Sequence, residues 1–337
     1  MKFTNLKIYY ILIFTNNLWF ITSNWLHFWL KFMSMKEVGI IDAVAFMIGI
    51  LLEFPSGIVS DRLGRKQTLF LSQSLQLLGS LLITFASNLY EIGFGFVVFQ
   101  MGVAFYSGTI ESFGYESCLK EKLDYTKVLV KSGIFSNVAF LGSLLVGGYL
   151  YSFNPIYPNI LFSLNFLIGF ISLFLIKEVS QLNLEKDFLL SKSKLNFQII
   201  ISFIILMVFV FAFDYGFLKL YFLEKFTDIS KNHWYIFVST VISLYISSKL
   251  LPKIESFGKV LVICFFILIL ALILSFYSFV PVFFILSFYA VFIYQLSLKY
   301  LNERISDSKR ASAISLFNLI YKLPYVLIAL VLGYNLA

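Results

Sequence analysis

The sequence predicts an all-α integral membrane protein built as two pseudo-symmetric helical bundles, one with six and one with five transmembrane helices. Three observations support this fold class. Only 13% of the 337 residues are charged, whereas soluble domains carry roughly 25%. Hydrophobic residues make up 60% of the chain, and the mean hydropathy is +0.88. These residues also gather in runs of about 20, the length that a helix needs to cross a bilayer.

Eleven apolar runs mark the predicted spans, and charged residues, prolines or polar turns set their bounds. The first run is too long for the apolar core of a signal peptide, and no small-residue cleavage site follows it, so we interpret it as a retained span. Pro281 separates the ninth run from the tenth. The spans lie at about residues 8–30, 38–60, 67–87, 92–117, 128–152, 157–176, 197–222, 233–251, 258–277, 280–298 and 311–334.

Lysine and arginine orient these spans, because cytoplasmic loops carry an excess of both. With a cytoplasmic N-terminus, 20 of the 26 Lys and Arg residues lie on the inner side, four on the outer side, and Lys219 and Lys322 within spans. The sequence therefore predicts a multi-pass protein of the inner or plasma membrane, in contact with the lipid bilayer. The net charge of +8 follows from this asymmetry. No soluble basic face is present, so we expect no nucleic-acid partner.

One polar segment of mixed charge, residues 178–196, divides the spans into six and five. We predict an N-terminal six-helix bundle at 1–177, a cytoplasmic linker at 178–196 and a five-helix C-terminal bundle at 197–337. Two sets of spans around a linker indicate structural repeats, which many transporters contain.

The inner loops of the two predicted halves support a repeat. The loop after span 2 reads GIVSDRLGRK, and the loop after span 8 reads LPKIESFGKV. Aligning Gly64 with Gly258 places Glu255 under Asp61 and a base, Lys259, under Arg65. The second copy is degraded, but it keeps an acid, a glycine and a base at the same spacing.

The loop after span 2 has a local physical interpretation. A glycine at position 57 allows two helices to approach closely, and a glycine at position 64 permits a tight turn. An acid at a helix end can accept hydrogen bonds from the N-terminus of a neighbouring helix. The bases keep the loop on the cytoplasmic side and can pair with the acid. The residues concerned are Gly57, Asp61, Arg62, Gly64, Arg65 and Lys66.

This loop resembles the signature of the major facilitator superfamily, a family of secondary transporters. The signature begins with Gly and continues with a small residue, Asp, a base, Gly and two bases; Val59 and Gln67 are the departures here. The resemblance extends over nearly the whole chain. It implies that the loop is a gating motif that closes the cytoplasmic face in one state and releases it in the other. A loop that only fixes topology is the alternative.

The sequence also departs from the resembled family. The second half has no sixth span, and either a short protein or a truncated one would explain this. Val98 stands where many proton-coupled members carry Arg. Ser143 and Leu144 replace the Gly-Pro pair of many exporters. Both departures argue against a drug–proton antiporter.

Polar residues within the predicted spans are candidates for the cavity or for ion coupling, because charge at membrane depth usually faces the bundle interior. Helix bridging and local hydrogen bonding are the structural alternatives. The resemblance implies that spans 2 and 11 pack together, so we predict that Lys322 pairs with Glu53, with Glu111 and then Asp214 as the next choices. The candidates are Asn17, Asn24, Glu53, Gln100, Glu111, Asp214 and Lys322.

No enzyme motif, nucleotide-binding loop or clustered metal ligands occur, and the two cysteines, Cys118 and Cys264, are far apart. We therefore expect a monomeric non-enzyme without cofactor or metal. The expected function is secondary transport of a small-molecule substrate by alternating access, with a proton as the candidate coupling ion. The aromatic residues favour an exporter of apolar or amphipathic molecules. A nutrient importer for a sugar, amino acid or organic acid, and a transport-dead sensor or scaffold, are the alternatives.

The topology leads to a first test. Residues 178–196 should face the cytoplasm and Ala337 the opposite side, because eleven crossings is an odd number. Single cysteines introduced at these places, with Cys118 and Cys264 replaced, can be labelled with an impermeant maleimide on intact cells and on inverted vesicles. Labelling of position 337 from the cytoplasmic side alone would show that the span count is wrong, most simply at Pro281.

Overall fold

A computed structural model describes residues 4–123, 125–176, 197–214, 229–274, 279–304 and 307–335, which form helices, short 3-10 turns and no strand. Each predicted span contains a helix. The predicted linker 178–196 lies outside the described residues. The helices are α1 Asn5–Asn16, α2 Trp25–Trp29, α3 Met35–Leu63, α4 Arg65–Thr84, α5 Leu89–Lys120, α6 Tyr125–Phe153, α7 Tyr157–Ser172, α8 Phe197–Asp214, α9 Ile229–Leu250, α10 Phe257–Leu274, α11 Phe279–Arg304 and α12 Asp307–Asn335.

The helices group into two compact units. The first contains α1 to α7 and the end of α12 from Leu330, and the second contains α8 to α11 and α12 up to Ala329. In the first unit, α5 packs between α3 and α4, while α7 packs against α4 and α1. In the second, α11 packs against α8, α9 and α10. The bounds predicted for the two bundles and the division into six and five spans stay predictions.

Three described helices are long and apolar enough to cross a membrane: Leu89–Cys118, Lys131–Phe153 and Tyr157–Leu175. A fourth candidate is α3, whose parts Met35–Glu53 and Pro55–Leu63 are bent by 47°. The bend lies beside Pro55, which has no N–H to donate and whose ring crowds the preceding turn. The N-terminal end of α3 is fixed by a capping box, in which Ser34 N donates to Glu37 Oε2 at 2.7 Å.

The first predicted span, 8–30, is not one helix, which corrects the sequence-based expectation of a continuous span. Its helix α1 ends at Asn16, turns follow, and the short α2 begins at Trp25. Polar side chains cap the interrupted backbone. The Asn16 and Asn17 amides donate to Leu12 O at 3.0 Å and Ile13 O at 2.7 Å. Each amide competes with the helical pattern by bonding a carbonyl four residues back, so the sequence itself ends the helix here.

The first unit is held together where small residues let helices approach. Gly79 of α4 lies so close to Phe99 and Gly95 of α5 that an added Cβ would collide with their backbone. Further along the same interface, Ser72 Oγ donates to Gly102 O at 2.9 Å. In lipid, such close contacts and interhelical hydrogen bonds drive association, because the lipid tails are as apolar as the side chains.

The contact between Gly147 of α6 and the turn after α1 yields a stability test. A Cβ at Gly147 would overlap with the carbonyl oxygen of Phe20, whereas a Cβ at Gly142 on the same helix would meet no atom of the described residues within 4 Å. Gly147→Ala should therefore reduce the free energy of unfolding by about 1–3 kcal/mol, as overpacking does. Gly142→Ala is the matched control. Equal thermal unfolding midpoints for the two purified variants would contradict this packing.

Candidate functional site

The loop between α3 and α4 is a single-residue turn at Gly64. Gly64 has φ 94° and ψ 158°, and this positive φ is easy for glycine and strained for other residues. Its N–H donates to Ser60 O at 3.2 Å, and its carbonyl accepts from Thr68 Oγ1 at 3.0 Å. The turn therefore ends one helix and begins the next, which places Arg65 at the first position of α4.

Arg65 joins three helices through one guanidinium group. Its Nη1 donates to Asp61 Oδ1 at 3.0 Å on α3, and also to Ser60 Oγ at 2.7 Å. Its Nε donates to Glu116 Oε1 at 3.0 Å on α5. Arginine suits this role because its planar group presents several donors in a fixed geometry. The result is an electrostatic cluster, Ser60–Asp61–Arg65–Glu116, at the end of the first unit where α3 stops.

The two carboxylates of this cluster differ in exposure. The Glu116 side chain is 5% exposed and that of Asp61 is 35% exposed, while Arg65 is 13% exposed. Removal of one partner of a buried ion pair strongly destabilises the folded protein, whereas an exposed ion pair contributes little to its stability. The bond between Arg65 and Glu116 should therefore stabilise the cluster more than the local bond to Asp61.

The remaining residues of the sequence motif have different surroundings. Lys66 Nζ donates to Ile176 O at 2.9 Å, so the loop also contacts the extended residue that follows the 3-10 turn Leu173–Leu175 after α7. Arg62 is exposed. Gly57 is exposed, and a Cβ added to it would meet no described atom within 4 Å. The close helix contact expected at Gly57 is therefore not seen in the described part of the chain.

Two of the predicted cavity residues serve the broken first span. Asn17, half-buried, caps its own helix through Ile13 O. Asn24 is 1% exposed, and its Nδ2 lies 3.5 Å from Gly147 O on α6. Both contacts match the structural alternative, in which an amide satisfies backbone rather than substrate.

The other candidates are scattered over several helices. Gln100 is buried against Gly49. Glu53 is half-buried, and its carbonyl accepts from Ser56 Oγ at 2.8 Å. Asp214 is the last residue of α8, and its side chain lies outside the described part of the structure. Lys322 is half-buried in α12. Glu53 and Lys322 fall in different units, and their pairing stays a prediction.

Glu111 has polar side chains from two other helices in its surroundings. It is exposed on α5. Tyr9 of α1 interacts electrostatically with Glu111 and forms a side-chain hydrogen bond with Ser132 of α6. A chain of polar interactions thus links α5, α1 and α6 through Tyr9. No group of three or more potential metal-ligating side chains occurs among the described residues.

The sequence analysis missed Glu116. Gln100 and Glu111 lie on one face of span 4, because they are 11 residues apart, and Glu116 does not share that face, so the helical spacing did not select it. An acid at the predicted inner end of a span, the same end at which Arg65 was predicted, was the available signal. A second buried acid, Asp42 on α3, is 3% exposed and was also not singled out.

Comparison with known proteins assigns a family and a fold. The model of the Major Facilitator Superfamily matches residues 8–329. The nucleoside transporter NupG has a TM-score of 0.69 at 13% identity over 98% of this chain and 89% of its own. A bacterial homologue of the human lysosomal transporter Spinster, inward-facing and unoccupied, has a TM-score of 0.65 at 17% identity, and the match covers 98% of this chain and 79% of its own. A D-xylose–proton symporter has a TM-score of 0.69 at 13% identity, and the match covers 97% of this chain and 88% of its own. No curated protein matches the sequence.

The unequal burial of the two carboxylates yields a test of the cluster. Glu116→Gln removes the buried charge that faces Arg65, and it should reduce the free energy of unfolding by up to about 3–5 kcal/mol. Asp61→Asn, at the more exposed position, should cost about 1 kcal/mol or less. Thermal unfolding of the purified variants measures both changes. A larger loss for Asp61→Asn than for Glu116→Gln would contradict the ranking.

Proposed function

The chain belongs to the major facilitator superfamily, and we propose that it is a secondary transporter that exports apolar or amphipathic small molecules by alternating access. The family accounts for secondary transport across a membrane by a multi-pass helical protein. The substrate class and the direction of transport go beyond what the family membership shows. The high aromatic content, 19% of residues, and the few charges within spans support the apolar or amphipathic substrate class, because such surfaces favour apolar ligands.

The observation that carries the gating role is the position of Arg65. One side chain holds together the end of α3, the start of α4 and the inner part of α5. Alternating access requires contacts at one face of the protein to form in one state and break in the other. A cluster of side-chain charges suits this demand, since each ion pair can exchange partners without unfolding a helix. We assign the loop Gly57–Lys66 as the cytoplasmic latch of the transport cycle.

One observation favours a second function, proton-coupled uptake of a polar solute. Glu111 is exposed on a helix that belongs to a predicted span, and it interacts electrostatically with Tyr9, which is itself hydrogen-bonded to Ser132. A carboxylate at membrane depth is costly unless it is functional or paired. In this alternative Glu111 carries the coupled proton, as one of the similar structures is a proton symporter for a sugar.

Flux through the purified protein in proteoliposomes separates these functions. Export predicts movement of an amphipathic fluorescent cation or dye, and uptake predicts accumulation of a labelled sugar or nucleoside driven by a pH gradient. The vesicles need a known protein orientation so that the direction can be read. Binding of either probe without flux would favour a sensor or scaffold and contradict both transport functions.

The latch assignment leads to a mutational test of transport. Asp61→Asn keeps the size of the side chain and the three neighbouring bases, so insertion and topology should be normal. Flux should fall at least about tenfold, the change that about 1.4 kcal/mol makes in a rate. Glu255→Gln is the matched control, because it removes the exposed acid at the aligned position of the second loop. Wild-type flux in Asp61→Asn would reduce the loop to a topogenic element.

A further inference from the structure

The inner loop of the second unit is held by a lysine that the sequence alignment does not point to. After α9, a 3-10 turn at Leu251–Lys253 and an extended Ile254 lead to α10. Lys299, near the end of α11, donates from Nζ to Leu251 O at 2.7 Å and to Ile254 O at 3.1 Å. One ammonium group therefore bonds the carbonyl groups at the beginning of this turn and just after it.

This placement satisfies the loop backbone electrostatically. The carbonyl groups at the end of a helix lack intrahelical partners, and they carry the negative end of the helix dipole. A lysine ammonium has three donors, of which two are used on these carbonyls. Leu251 O also accepts from Ile254 N at 3.3 Å, so the cation adds to a turn that is already hydrogen-bonded.

The next residue along α11 anchors the same loop by packing. Tyr300 is fully buried, and its ring centroid lies 5.1 Å from that of Phe257 and 5.5 Å from that of Phe203. Phe257 is the first residue of α10, where the loop ends. Lys299 and Tyr300 thus fix the beginning and the end of the loop from one helix.

The first unit has the same connection with the opposite polarity. There the cation, Arg65, lies at the end of the loop, and its buried partner, Glu116, lies on the neighbouring helix α5. In the second unit the cation lies on the helix, and the loop offers backbone carbonyls. The aligned side chains Glu255 and Lys259 are both exposed. Glu116 lies four residues before the end of α5, and Lys299 lies five residues before the end of α11.

We propose that Lys299 is a positioning residue of the transport cycle, the counterpart of Glu116 in the second unit with reversed charge. It keeps the loop Leu251–Phe257 closed on its own unit throughout the cycle. The role in transport rests on the proposed function, whereas the anchoring of the loop does not. A carboxylate can be protonated or can exchange partners, but a backbone carbonyl cannot lose its partial charge. The first loop is therefore the releasable one and the second is a fixed support.

Hydrogen exchange of the wild-type chain and its variants in detergent or nanodiscs tests the anchor without any assumption about substrate. Lys299→Met keeps the length of the side chain and removes its donors and charge. Amides in 251–260 should then exchange at least about tenfold faster, as expected for a local opening that has lost a charge-assisted contact. Lys299→Arg should restore protection. Exchange in 57–66 should not change, and Lys253→Met, which removes an exposed base of the same loop, is the matched control.

Transport is the second readout. Lys299→Met should lower the maximal flux with an unchanged KM, because the residue acts on the loop and not on substrate, and Lys299→Arg should rescue it. Unchanged exchange in Lys299→Met, or an equal effect of Lys253→Met, would overturn the anchor. Faster exchange with wild-type flux would overturn the role in the cycle. Lys299→Gln, which retains one donor, should give intermediate exchange, and it serves the test if Lys299→Met does not fold. Absence of flux in the wild type would refute the proposed function alone.

Discussion

Backbone N–H and C=O groups at membrane depth must find partners within the protein, because lipid offers none. The broken first span meets this constraint with its own side chains. Asn16 and Asn17 cap carbonyls of α1. Trp19 Nε1 donates to Asn16 O at 2.9 Å, and Asn165 Nδ2 on α7 donates to Leu18 O at 2.7 Å. The polar residues of this segment therefore allow a helix to end inside an otherwise apolar run.

The same constraint changes how polar residues within spans are interpreted. Thr84 Oγ1 lies 3.0 Å from Ser163 Oγ on α7, and Gln76 Nε2 donates to Ser72 Oγ at 3.0 Å within α4. These groups join helices or satisfy neighbouring backbone, and none needs a ligand to explain it. A polar stripe on a predicted span thus indicates an interior face, but by itself it does not identify a transport site. The charged cluster around Arg65 is a stronger candidate for a functional element, because it connects helices through groups that can change partners.

How much of this structure the sequence predicts depends on how far apart in the chain the interacting residues are. Helix lengths are dictated by the bilayer, so the runs of hydropathy locate the helices, and the motif after α3 is local, with Asp61 and Arg65 one turn apart. The partners of the loops are not local: Glu116 is 51 residues from Arg65, and Lys299 is 48 residues from Leu251. The break at Asn16 also escaped prediction, because hydropathy continues through it and the deciding hydrogen bonds compete with the helix residue by residue.

The loops after α3 and α9 show how one physical requirement can be met by different residues in the two units. Each loop must be held to a helix that it contacts, but the requirement is only that a cation meets acceptors there. The first unit meets it with Arg65 and a buried carboxylate, and the second with Lys299 and two carbonyls. Once Lys299 holds the turn, Glu255 and Lys259 no longer need to pair, and both lie at the surface. An alignment compares residues at equal positions, whereas this connection has moved from the loop to the neighbouring helix. In the proposed transport cycle, the two loops therefore differ in what can release them: a change in charge acts on the first, whereas the second opens only when α11 moves.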